Sequence, residues 1–394
     1  MKTDIYFLQF LKDDEKSVGG GGVGTLISYL CPLLEELGHE ITVYQCAGHP
    51  FETNWRNTKV VGIPLYPGKG NPNEKVVQHF CDIASKRSGK AERMEIFAAD
   101  FFSVRNNNPL AICVQNGLAW DADIKLLTSK KIYYSKTGEK IFRCRCQLRG
   151  LRRFETCYNR VAVDLYFLNW YRSFRGPNFK GRLFYNPNPA PEVLWDSRHE
   201  SISKDQPVRI IFARRLAPEK GTRIIAEVFR ELLKIRPNIK ITIAGEGPDE
   251  KFLREYFKNE SRVNITFYQT EDAVKVHQQH DIAVVPSLCG EATCLSVLEA
   301  MAAGCAVVAT NMGGTITQII GGLNGMLCSP DKASLMEALL KLIDLPEERL
   351  RMQKCGWETS QRAFGMQQWQ ERWIEIIREV TDGRKNAIRA ILNQ

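Results

Sequence analysis

The stretch that decides the fold is residues 281–310, DIAVVPSLCGEATCLSVLEAMAAGCAVVAT. It begins with a continuous apolar run, 282–285, of the kind that forms a strand buried on both faces of a parallel sheet. An amphipathic segment, 295–303, follows and ends at Gly304, and a second apolar run, 305–310, comes next. This order predicts a βαβ unit, in which a helix joins two parallel strands.

The same alternation extends outward from this unit through the second half of the chain and into its beginning. We predict further strands at 208–215, 240–245, 264–269, 325–328, 5–10 and 41–44, and helices at 223–235 and 25–37. Between 103 and 180 the pattern is less regular and predicts no definite elements. The pattern indicates an α/β protein with two Rossmann-like, doubly wound parallel sheets, whose strands' carboxyl ends face a central cleft.

The length of 394 residues favours two or three domains, at about 150 residues each. Prolines and asparagines cluster at 186–191 and a polar stretch follows, so we predict a domain boundary there. The expected division is an N-terminal domain at 1–190, a linker at 191–206 and a C-terminal domain at 207–365. A last amphipathic helix, 366–394, is expected to complete the first domain, with its tryptophans in the core.

Composition excludes several classes of protein. The hydrophobic fraction of 44% and the charged fraction of 25% are those of a globular chain, not of a disordered, collagen-like or coiled-coil one. No apolar run reaches the roughly 18 to 20 residues of a membrane-spanning helix, and the first residues lack the shape of a signal peptide. The twelve cysteines form no CxxC pair, and the six histidines are dispersed. We therefore expect a cytoplasmic protein with reduced thiols and no bound metal.

The positive charge is concentrated in one segment, residues 125–160. It contains eleven lysines and arginines against Glu139 and Glu155, and the difference of 11 − 2 = 9 equals the net charge of the whole chain, +9. One interpretation is a solvated basic helix. The other is a docking surface for an anionic partner, either a phosphorylated acceptor or acidic lipid headgroups on the inner face of the membrane. The sequence contains no nucleic-acid-binding module, so we expect no nucleic-acid partner.

Two short motifs in the first half admit more than one interpretation. Gly19, Gly21 and Gly24 fit the G-x-G-x-x-G pattern of NAD-dependent dehydrogenases, but charged residues at 12–16 separate them from the strand, and no acidic residue follows the second strand. We expect instead that these glycines let the backbone approach a phosphate or a sugar. Residues 121–123, Asp-Ala-Asp, match a pattern that chelates a divalent cation, although a solvated turn is the favoured interpretation.

The second half carries the more specific motifs. Residues 214–221, RRLAPEKG, follow a predicted buried strand and precede a helix, so that their cations are expected to clamp a diphosphate at the edge of the sheet. In 285–310, Glu291 lies in the loop before a helix whose N-terminus favours anions, and Glu299 lies one turn further. We expect Glu299 to reach the hydroxyls of a ribose.

These segments together resemble the family 4 retaining glycosyltransferases of the GT-B fold, and the resemblance covers most of the chain. It is carried by 20–25 with 37–40, 185–188, 215–221, 244–248, 284–303 and 324–327. The resemblance implies that Arg215 and Lys220 hold the donor diphosphate, that Glu299 binds the ribose, that Glu291 lies beside the transferred sugar, and that no metal or other cofactor is needed. The other expected donor contacts are Gly21, Gly22, Gly245, Thr270, Thr293, Cys294 and Leu295.

The chain departs from the family pattern at three places. Residues 292–294 read Ala-Thr-Cys where the family has Phe-Gly, and Arg214 replaces a small residue before the clamp arginine. The family histidine in a first-domain loop is absent, and we take Asp100 and Asn116 as candidates for its place among the catalytic groups.

The resemblance implies a metal-independent transfer of a hexose from a UDP- or GDP-sugar to a saccharide, lipid-linked or small-molecule acceptor, with retention at the anomeric carbon. We expect a role in the synthesis of surface polysaccharides or glycoconjugates. Two alternatives share the fold. One is a nucleotide-sugar epimerase or a phosphorylase, and the other is a non-catalytic scaffold that binds a nucleotide sugar.

Overall fold

The computed structural model describes residues 1–19, 21–65, 73–88, 92–118, 120–196, 206–269 and 272–392, with side chains up to residue 382. The chain divides into two compact units. Unit 1 comprises Met1–Gly117, Arg143–Asn186 and Gln370–Gln394, and unit 2 comprises Leu118–Phe142 and Pro187–Trp369. Each unit is built around one sheet.

Unit 1 contains an eight-stranded sheet in which every neighbouring pair is parallel except β3 with β4. The strand order is β3-β4-β2-β1-β5-β6-β7-β8. The strands are β1 Lys2–Phe7, β2 Glu40–Ala47, β3 Phe51–Trp55, β4 Thr58–Pro64, β5 Arg93–Phe97, β6 Ala111–Gln115, β7 Asn159–Ala162 and β8 Arg182–Tyr185. The first helices of the chain are α1 Gly22–Glu36, α2 Glu74–Ser88, α3 Ile124–Leu127, α4 Lys136–Phe154 and α5 Leu165–Arg175. Of these, α3 and the start of α4, residues 136–142, lie in a segment that belongs to unit 2.

Unit 2 contains a six-stranded sheet that is parallel throughout, in the order β11-β10-β9-β12-β13-β14. The strands are β9 Val208–Ala213, β10 Ile239–Ala244, β11 Val263–Thr266, β12 Ile282–Val285, β13 Ala306–Thr310 and β14 Met326–Cys328. Numbered from β9, this is the order 3-2-1-4-5-6 of dinucleotide-binding domains. In such a sheet the direction of winding reverses between the first and fourth strands, here β9 and β12, and ligands bind at their carboxyl ends.

Helices cover both faces of the second sheet. They are α6 Thr222–Ile235, α7 Glu250–Tyr256, α8 Ala273–Gln278, α9 Leu295–Ala302, α10 Thr315–Gln318, α11 Lys332–Asp344 and α12 Pro346–Ala363. Successive residues of one strand point to opposite sides, so Ile210 and Phe212 lie in one apolar cluster and Ile211 and Ala213 in another. All four residues of β12 are buried, as the continuous apolar run at 282–285 predicts. The two doubly wound parallel sheets expected from the sequence are confirmed.

The division into units differs from the predicted one at residues 118–142. The sequence predicts this segment in the first domain, whereas it packs with unit 2. The reason is a set of contacts around Asp121: its Oδ2 accepts the Gly313 N–H at 2.8 Å, its carbonyl accepts the Gly290 N–H, and Ala122 bridges Cys289. Asp123 caps α3 by accepting the Lys125 N–H at 2.8 Å. In this structure the D-x-D motif is thus a structural turn.

The described part of the predicted linker, residues 191–196, packs on α12. Trp357 Nε1 donates to the Val193 carbonyl at 2.7 Å, and Gln361 Nε2 donates to the Pro191 carbonyl at 3.0 Å. Residues 191–196 therefore belong to the folded part of unit 2, while the rest of the predicted linker, except residue 206, lies outside the described residues.

The last helix, α13 Met366–Leu392, crosses from unit 2 into unit 1. Its apolar stripe, which includes Trp373, Ile376 and Val380, is buried, and Arg182 of β8 donates to the Glu379 carbonyl. Within the described residues, no helix has both the length and the apolarity needed to cross a bilayer. All twelve cysteines carry free thiols.

Candidate active site

Two loops at the carboxyl edge of the second sheet bring the predicted clamp and the predicted acidic motif together. β9 ends at Ala213 and is followed by Arg214, Arg215 and a short 3₁₀ turn, Pro218–Lys220. Its neighbour β12 ends at Val285 and is followed by the loop that carries Glu291. Because the two strands are parallel and adjacent, both loops leave the same edge of the sheet, at the point where the winding reverses.

Glu291 is the centre of a hydrogen-bonded cluster of charges. Its Oε1 accepts hydrogen bonds from Arg214 Nη2, Lys220 Nζ and Ser287 Oγ, each at 2.7 Å. Arg214 Nη1 also donates to Ser287 Oγ at 2.7 Å. The side chains of Arg214 and Glu291 are only 5% and 13% exposed, so this is a nearly dry ion cluster with two cations and one carboxylate. Such a cluster has an excess positive charge available to an anionic ligand.

The electrostatics hold Glu291 in its ionised form. Burial alone would raise the pKa of Glu291, but Lys220 and Arg214 together lower it to about 2. The ion cluster therefore stabilises the folded protein above the ordinary carboxyl pKa of 4.5, and this contribution is lost only as the pH falls towards 2. For Arg214, burial acts to lower the pKa and Glu291 more than compensates, so the pKa of its guanidinium is raised.

The arginine that contacts Glu291 is not the one named by the sequence motif. Arg215, the predicted clamp, is 60% exposed on its side chain and pairs with Glu219 four residues further on. Arg214 is the residue that sequence analysis missed as a site residue, although its place was visible: an arginine stands directly after a buried strand, where the resembling family has a small residue. Of the predicted cations, the structure brings Lys220 into the cluster and leaves Arg215 beside it on the exposed loop.

The N-terminus of α9 lies next in the chain after Glu291. Its cap residue, Cys294, is buried, and Gln318 holds it in place: Gln318 Oε1 accepts the Cys294 N–H at 2.9 Å and Gln318 Nε2 donates to the Cys294 carbonyl at 3.1 Å. Thr293 is fixed by Asn188, whose Nδ2 donates to the Thr293 carbonyl at 2.9 Å. Among the described residues, no acceptor binds the N–H of Leu295, which begins the helix. An N–H group of this kind is available to an anion.

Glu299, four residues into α9, has a pKa shifted in the opposite direction from that of Glu291. Burial raises its pKa to about 7, and Arg214 opposes this only in part. No described residue forms a hydrogen bond or an ion pair with its carboxyl group. Glu299 is thus a partly buried carboxyl group with a pKa near 7 and no hydrogen-bond or ion-pair partner in the described part of the chain, as a group that binds ligand hydroxyls would be.

The remaining predicted donor contacts are divided between the two units. Gly245 follows β10 with φ of +138°, and a Cβ there would collide with the Arg214 carbonyl, so the position requires glycine. Gly21 caps α1 with φ of +135°, and Gly22 begins that helix, so both belong to unit 1. Thr270 lies outside the described residues.

Asp100 and Asn116, the two candidates of unit 1, contact each other. They follow the adjacent strands β5 and β6, and Asp100 Oδ1 accepts the Asn116 N–H at 3.2 Å, while Asn116 Nδ2 donates to the Ala98 carbonyl at 2.6 Å. Burial raises the pKa of Asp100 to about 7, against the lowering effects of that hydrogen bond and of Arg153. Their roles in a reaction stay predictions.

The raised pKa of Asp100 predicts a pH-dependent stability. Its contribution to stability is complete below the ordinary carboxyl pKa of 3.8 and is lost as the pH rises through about 7, because the folded protein resists ionisation of this group. Asp100→Asn keeps the acceptor oxygen and removes the ionisation. We therefore expect the melting temperature of the variant, relative to wild type, to be higher at pH 8 than at pH 5.

The matched control is Asp14→Asn in the same unit. Asp14 is exposed, and hydrogen bonds from Ser17 and Lys16 lower its pKa to about 2, so it is ionised at both pH values. Its melting-temperature difference from wild type should not change between pH 5 and pH 8. An Asp100→Asn difference that is equally independent of pH would contradict the raised pKa.

No group of three or more histidine, cysteine or acidic residues suited to a metal ion occurs in the part of the chain that the structure describes. The predicted donor site contains cations, backbone N–H groups and two carboxyl groups, of which Glu291 has its pKa lowered to about 2 and Glu299 has its pKa raised to about 7. These groups can hold a phosphorylated ligand and its hydroxyls.

Comparisons with known proteins show which proteins this chain resembles. Residues 195–358 match the family described as glycosyl transferases group 1. The chain is 27% identical over 152 residues to lipopolysaccharide 1,2-N-acetylglucosaminetransferase of Salmonella typhimurium, in a match that covers 36% of this chain and 39% of that protein. It is 31% identical over 156 residues to glycogen synthase of Mycobacterium tuberculosis, in a match that covers 38% of this chain and 37% of that protein. The chain thus spans less than half the length of each of these relatives.

The solved structure of sucrose-phosphate synthase from Thermosynechococcus elongatus resembles this one with a TM-score of 0.74, at 16% identity, over 97% of this chain and 99% of that chain. A likeness at this level of identity establishes the fold. It confirms the expected GT-B architecture.

Proposed function

We propose that the protein transfers a hexose from a nucleotide-diphosphate sugar to an acceptor with retention at the anomeric carbon. Residues 195–358 match the group 1 glycosyl transferases, and the chain has the GT-B fold, which supports the proposal. The observation that carries this proposal is the cluster of Arg214, Lys220 and Glu291 at the switch point of the second sheet. A dry site with an excess positive charge suits a diphosphate whose negative charge increases as it leaves.

The residues of unit 2 divide the donor between them in this proposal. Lys220 uses one of its three N–H donors on Glu291 and has others for the diphosphate, which the exposed Arg215 and the N-terminus of α9 also bind. Glu299 accepts from the ribose hydroxyls and the carboxylate of Glu291 lies beside the sugar. The cations stabilise the leaving group, so the proposal assigns no step to a metal ion.

The proposed chemical step occurs on one face of the sugar. The bond between the anomeric carbon and the phosphate oxygen breaks, and the acceptor oxygen bonds to the anomeric carbon from the same side. The proton of the acceptor hydroxyl passes to the departing phosphate oxygen, and the nucleotide diphosphate is released. A double displacement would need two carboxyl groups about 5 to 5.5 Å apart, one as nucleophile. In this cluster the only ionised carboxylate, Glu291, is bound by three donors on one oxygen and is poorly suited to that role.

A thermal-shift screen followed by a product assay tests this function. At a hundredfold excess over its Kd, the true donor among UDP-, GDP- and ADP-glucose should stabilise the protein by about 2.7 kcal/mol. The same donor should then release its nucleotide diphosphate slowly in the absence of acceptor, and NMR of the transferred sugar should show the α-anomer of the donor preserved. An inverted anomer would contradict the retaining mechanism, and stabilisation without release would indicate a binding scaffold.

We propose a saccharide or a lipid-linked molecule as acceptor, in surface polysaccharide or glycoconjugate synthesis, with peripheral contact of residues 125–160 with an anionic membrane. Apolar side chains are exposed among the basic residues of this segment. Ile132 is 77% exposed and Ile141 is 51% exposed, and only Leu151 and Phe154 of α4 are buried. Apolar side chains surrounded by lysines and arginines are typical of surfaces that lie in a membrane interface.

Ile132→Ser tests this contact. We expect about tenfold weaker co-sedimentation with vesicles of phosphatidylcholine containing 30 mol% phosphatidylglycerol, because one buried isoleucine contributes about 1.5 kcal/mol or more. The control is Leu194→Ser, which removes a side chain that is 88% exposed elsewhere in the chain and should leave vesicle binding unchanged. Equal binding of wild type and Ile132→Ser, or equal loss in both variants, would remove the argument for this surface.

A further inference from the structure

Unit 1 contains a cavity of about 580 Å³ that the proposed donor site does not use. Its wall is formed by the start of α2 with Asn73 before it, the segment after β5, and the second half of α4 with Thr156 after it. Four arginines line it, Arg145, Arg149, Arg152 and Arg153, against a single acidic residue, Glu74. The remaining lining residues carry no charge, so the cavity has an excess of 4 − 1 = 3 positive charges. We call it the arginine pocket.

Like charges lie close together along α4, and their repulsion destabilises the isolated helix. Arg145, Arg149 and Arg153 are four residues apart, so they lie along one face of α4, where like charges destabilise a helix. No described residue forms an ion pair or a hydrogen bond with the side chains of Arg145, Arg149 or Arg152. Three guanidinium groups thus border one cavity without an ion pair to any residue that the structure describes, and Glu74 is the one carboxylate among the lining residues.

The pKa of Arg153 reflects both its burial and the neighbouring positive charge. Burial lowers the pKa of its guanidinium, Asp100 and Glu74 oppose this, and the neighbouring charge of Arg149 lowers it further. A group whose charged form is disfavoured in this way gains from an anion placed in the same cavity. Guanidinium groups bind phosphate oxygens in pairs, and a cavity of this volume also has space for a small sugar or glycerol attached to the phosphate.

We propose that the arginine pocket binds the phosphomonoester group of a small molecule or of a lipid headgroup. The proposal concerns residues of unit 1 only and does not depend on the donor or on the reaction. The pocket carries side chains on two adjacent turns, Arg145 and Arg149, that are exposed and unpaired within the described chain, so they can be changed without removing a contact that the fold needs.

Calorimetry with glycerol 3-phosphate in 50 mM NaCl tests the pocket. We expect wild type to bind glycerol 3-phosphate with a Kd below about 1 mM, and we expect glycerol to give no heat. The double variant Arg145→Gln/Arg149→Gln should bind glycerol 3-phosphate at least tenfold more weakly, because each lost charge-assisted hydrogen bond is worth about 1.5 kcal/mol or more. The control Lys136→Gln/Lys140→Gln removes the same charge from the same helix outside the pocket and should stay within twofold of wild type. Lys220→Gln should also retain the binding, which separates the pocket from the donor site.

Two results would overturn the proposal: absence of glycerol 3-phosphate binding to wild type, or equal weakening in the two double variants.

Vesicles of phosphatidylcholine with 20 mol% phosphatidic acid identify the source of the phosphate. If the pocket takes a lipid headgroup, 10 mM glycerol 3-phosphate should release the protein from these vesicles, and Arg145→Gln/Arg149→Gln should not bind them. If it takes a soluble molecule, glycerol 3-phosphate binds in the calorimeter and does not affect the vesicles. Vesicle binding that neither the phosphate nor the variant reduces, without calorimetric binding, would contradict the pocket.

Discussion

Lys220→Ala is expected to lower kcat by a factor of about 10² to 10³, the loss typical of removing one preorganised donor from a developing negative charge. The ammonium group lies 2.7 Å from Glu291 at the switch point of the second sheet, where it has N–H groups left for the diphosphate. In the proposed reaction, the variant removes one of the two cations of the cluster from the charge that develops on the leaving phosphate. Release of nucleotide diphosphate, measured with the donor that stabilises the protein, gives kcat.

The control for Lys220→Ala is Lys234→Ala, which removes an exposed lysine from α6 of the same unit and should leave kcat unchanged. Arg215→Ala provides the comparison for the exposed cation, and we expect it also to lower turnover. Circular dichroism melting separates loss of fold from loss of rate. Turnover within a few-fold of wild type in both Lys220→Ala and Arg215→Ala would refute the electrostatic account of the reaction.

Arg214→Met is expected to lower the free energy of unfolding by about 3 kcal/mol, as removal of a buried, charged hydrogen-bond partner does. The change removes two hydrogen bonds of 2.7 Å, to Ser287 and to Glu291, and leaves the Glu291 carboxylate, which is 13% exposed, with Lys220 as its only cation. Urea denaturation at pH 7 measures the loss. Lys220 should then also become more important for stability in the variant.

A double-mutant cycle assigns this loss to the pair. Glu291→Gln removes the charge that Arg214 compensates, so Arg214→Met should destabilise the Glu291→Gln protein less than it destabilises wild type. The matched control is Arg236→Met, which breaks an ion pair with Asp344 whose side chains are 36% and 42% exposed and should change stability much less, because exposed ion pairs contribute little. Equal effects of Arg214→Met and Arg236→Met would show that the cluster contributes no more than a surface ion pair.

Local sequence was sufficient for much of the fold. Strands such as 282–285 were predictable because a strand buried on both faces needs an unbroken apolar run, and the helix at 295–302 because its apolar residues recur with helical spacing. The same reasoning placed Lys220 and Glu291 near each other: each follows a strand of one parallel sheet, and the carboxyl ends of such strands share an edge. These inferences depend on periodicity and chain order, which the sequence contains directly.

Other features depend on contacts between residues far apart in the chain. The sequence predicts residues 118–142 in the first domain because they precede the boundary predicted at 186–191, whereas Asp121 binds the backbone at 290 and 313 and places the segment in unit 2. The motif named Arg215, but packing directs Arg214 to Glu291, because only one of two consecutive side chains after a strand points inward.

The sequence by itself therefore determined the fold class, the order of elements in the sheet of unit 2 and the loops that carry the candidate site. The tertiary structure alone decided which arginine enters the ion cluster, which unit holds 118–142, and that four arginines of one basic helix border a cavity. Periodicity and composition are local properties of a chain, whereas the burial and pairing of a charge depend on which distant groups surround it after folding.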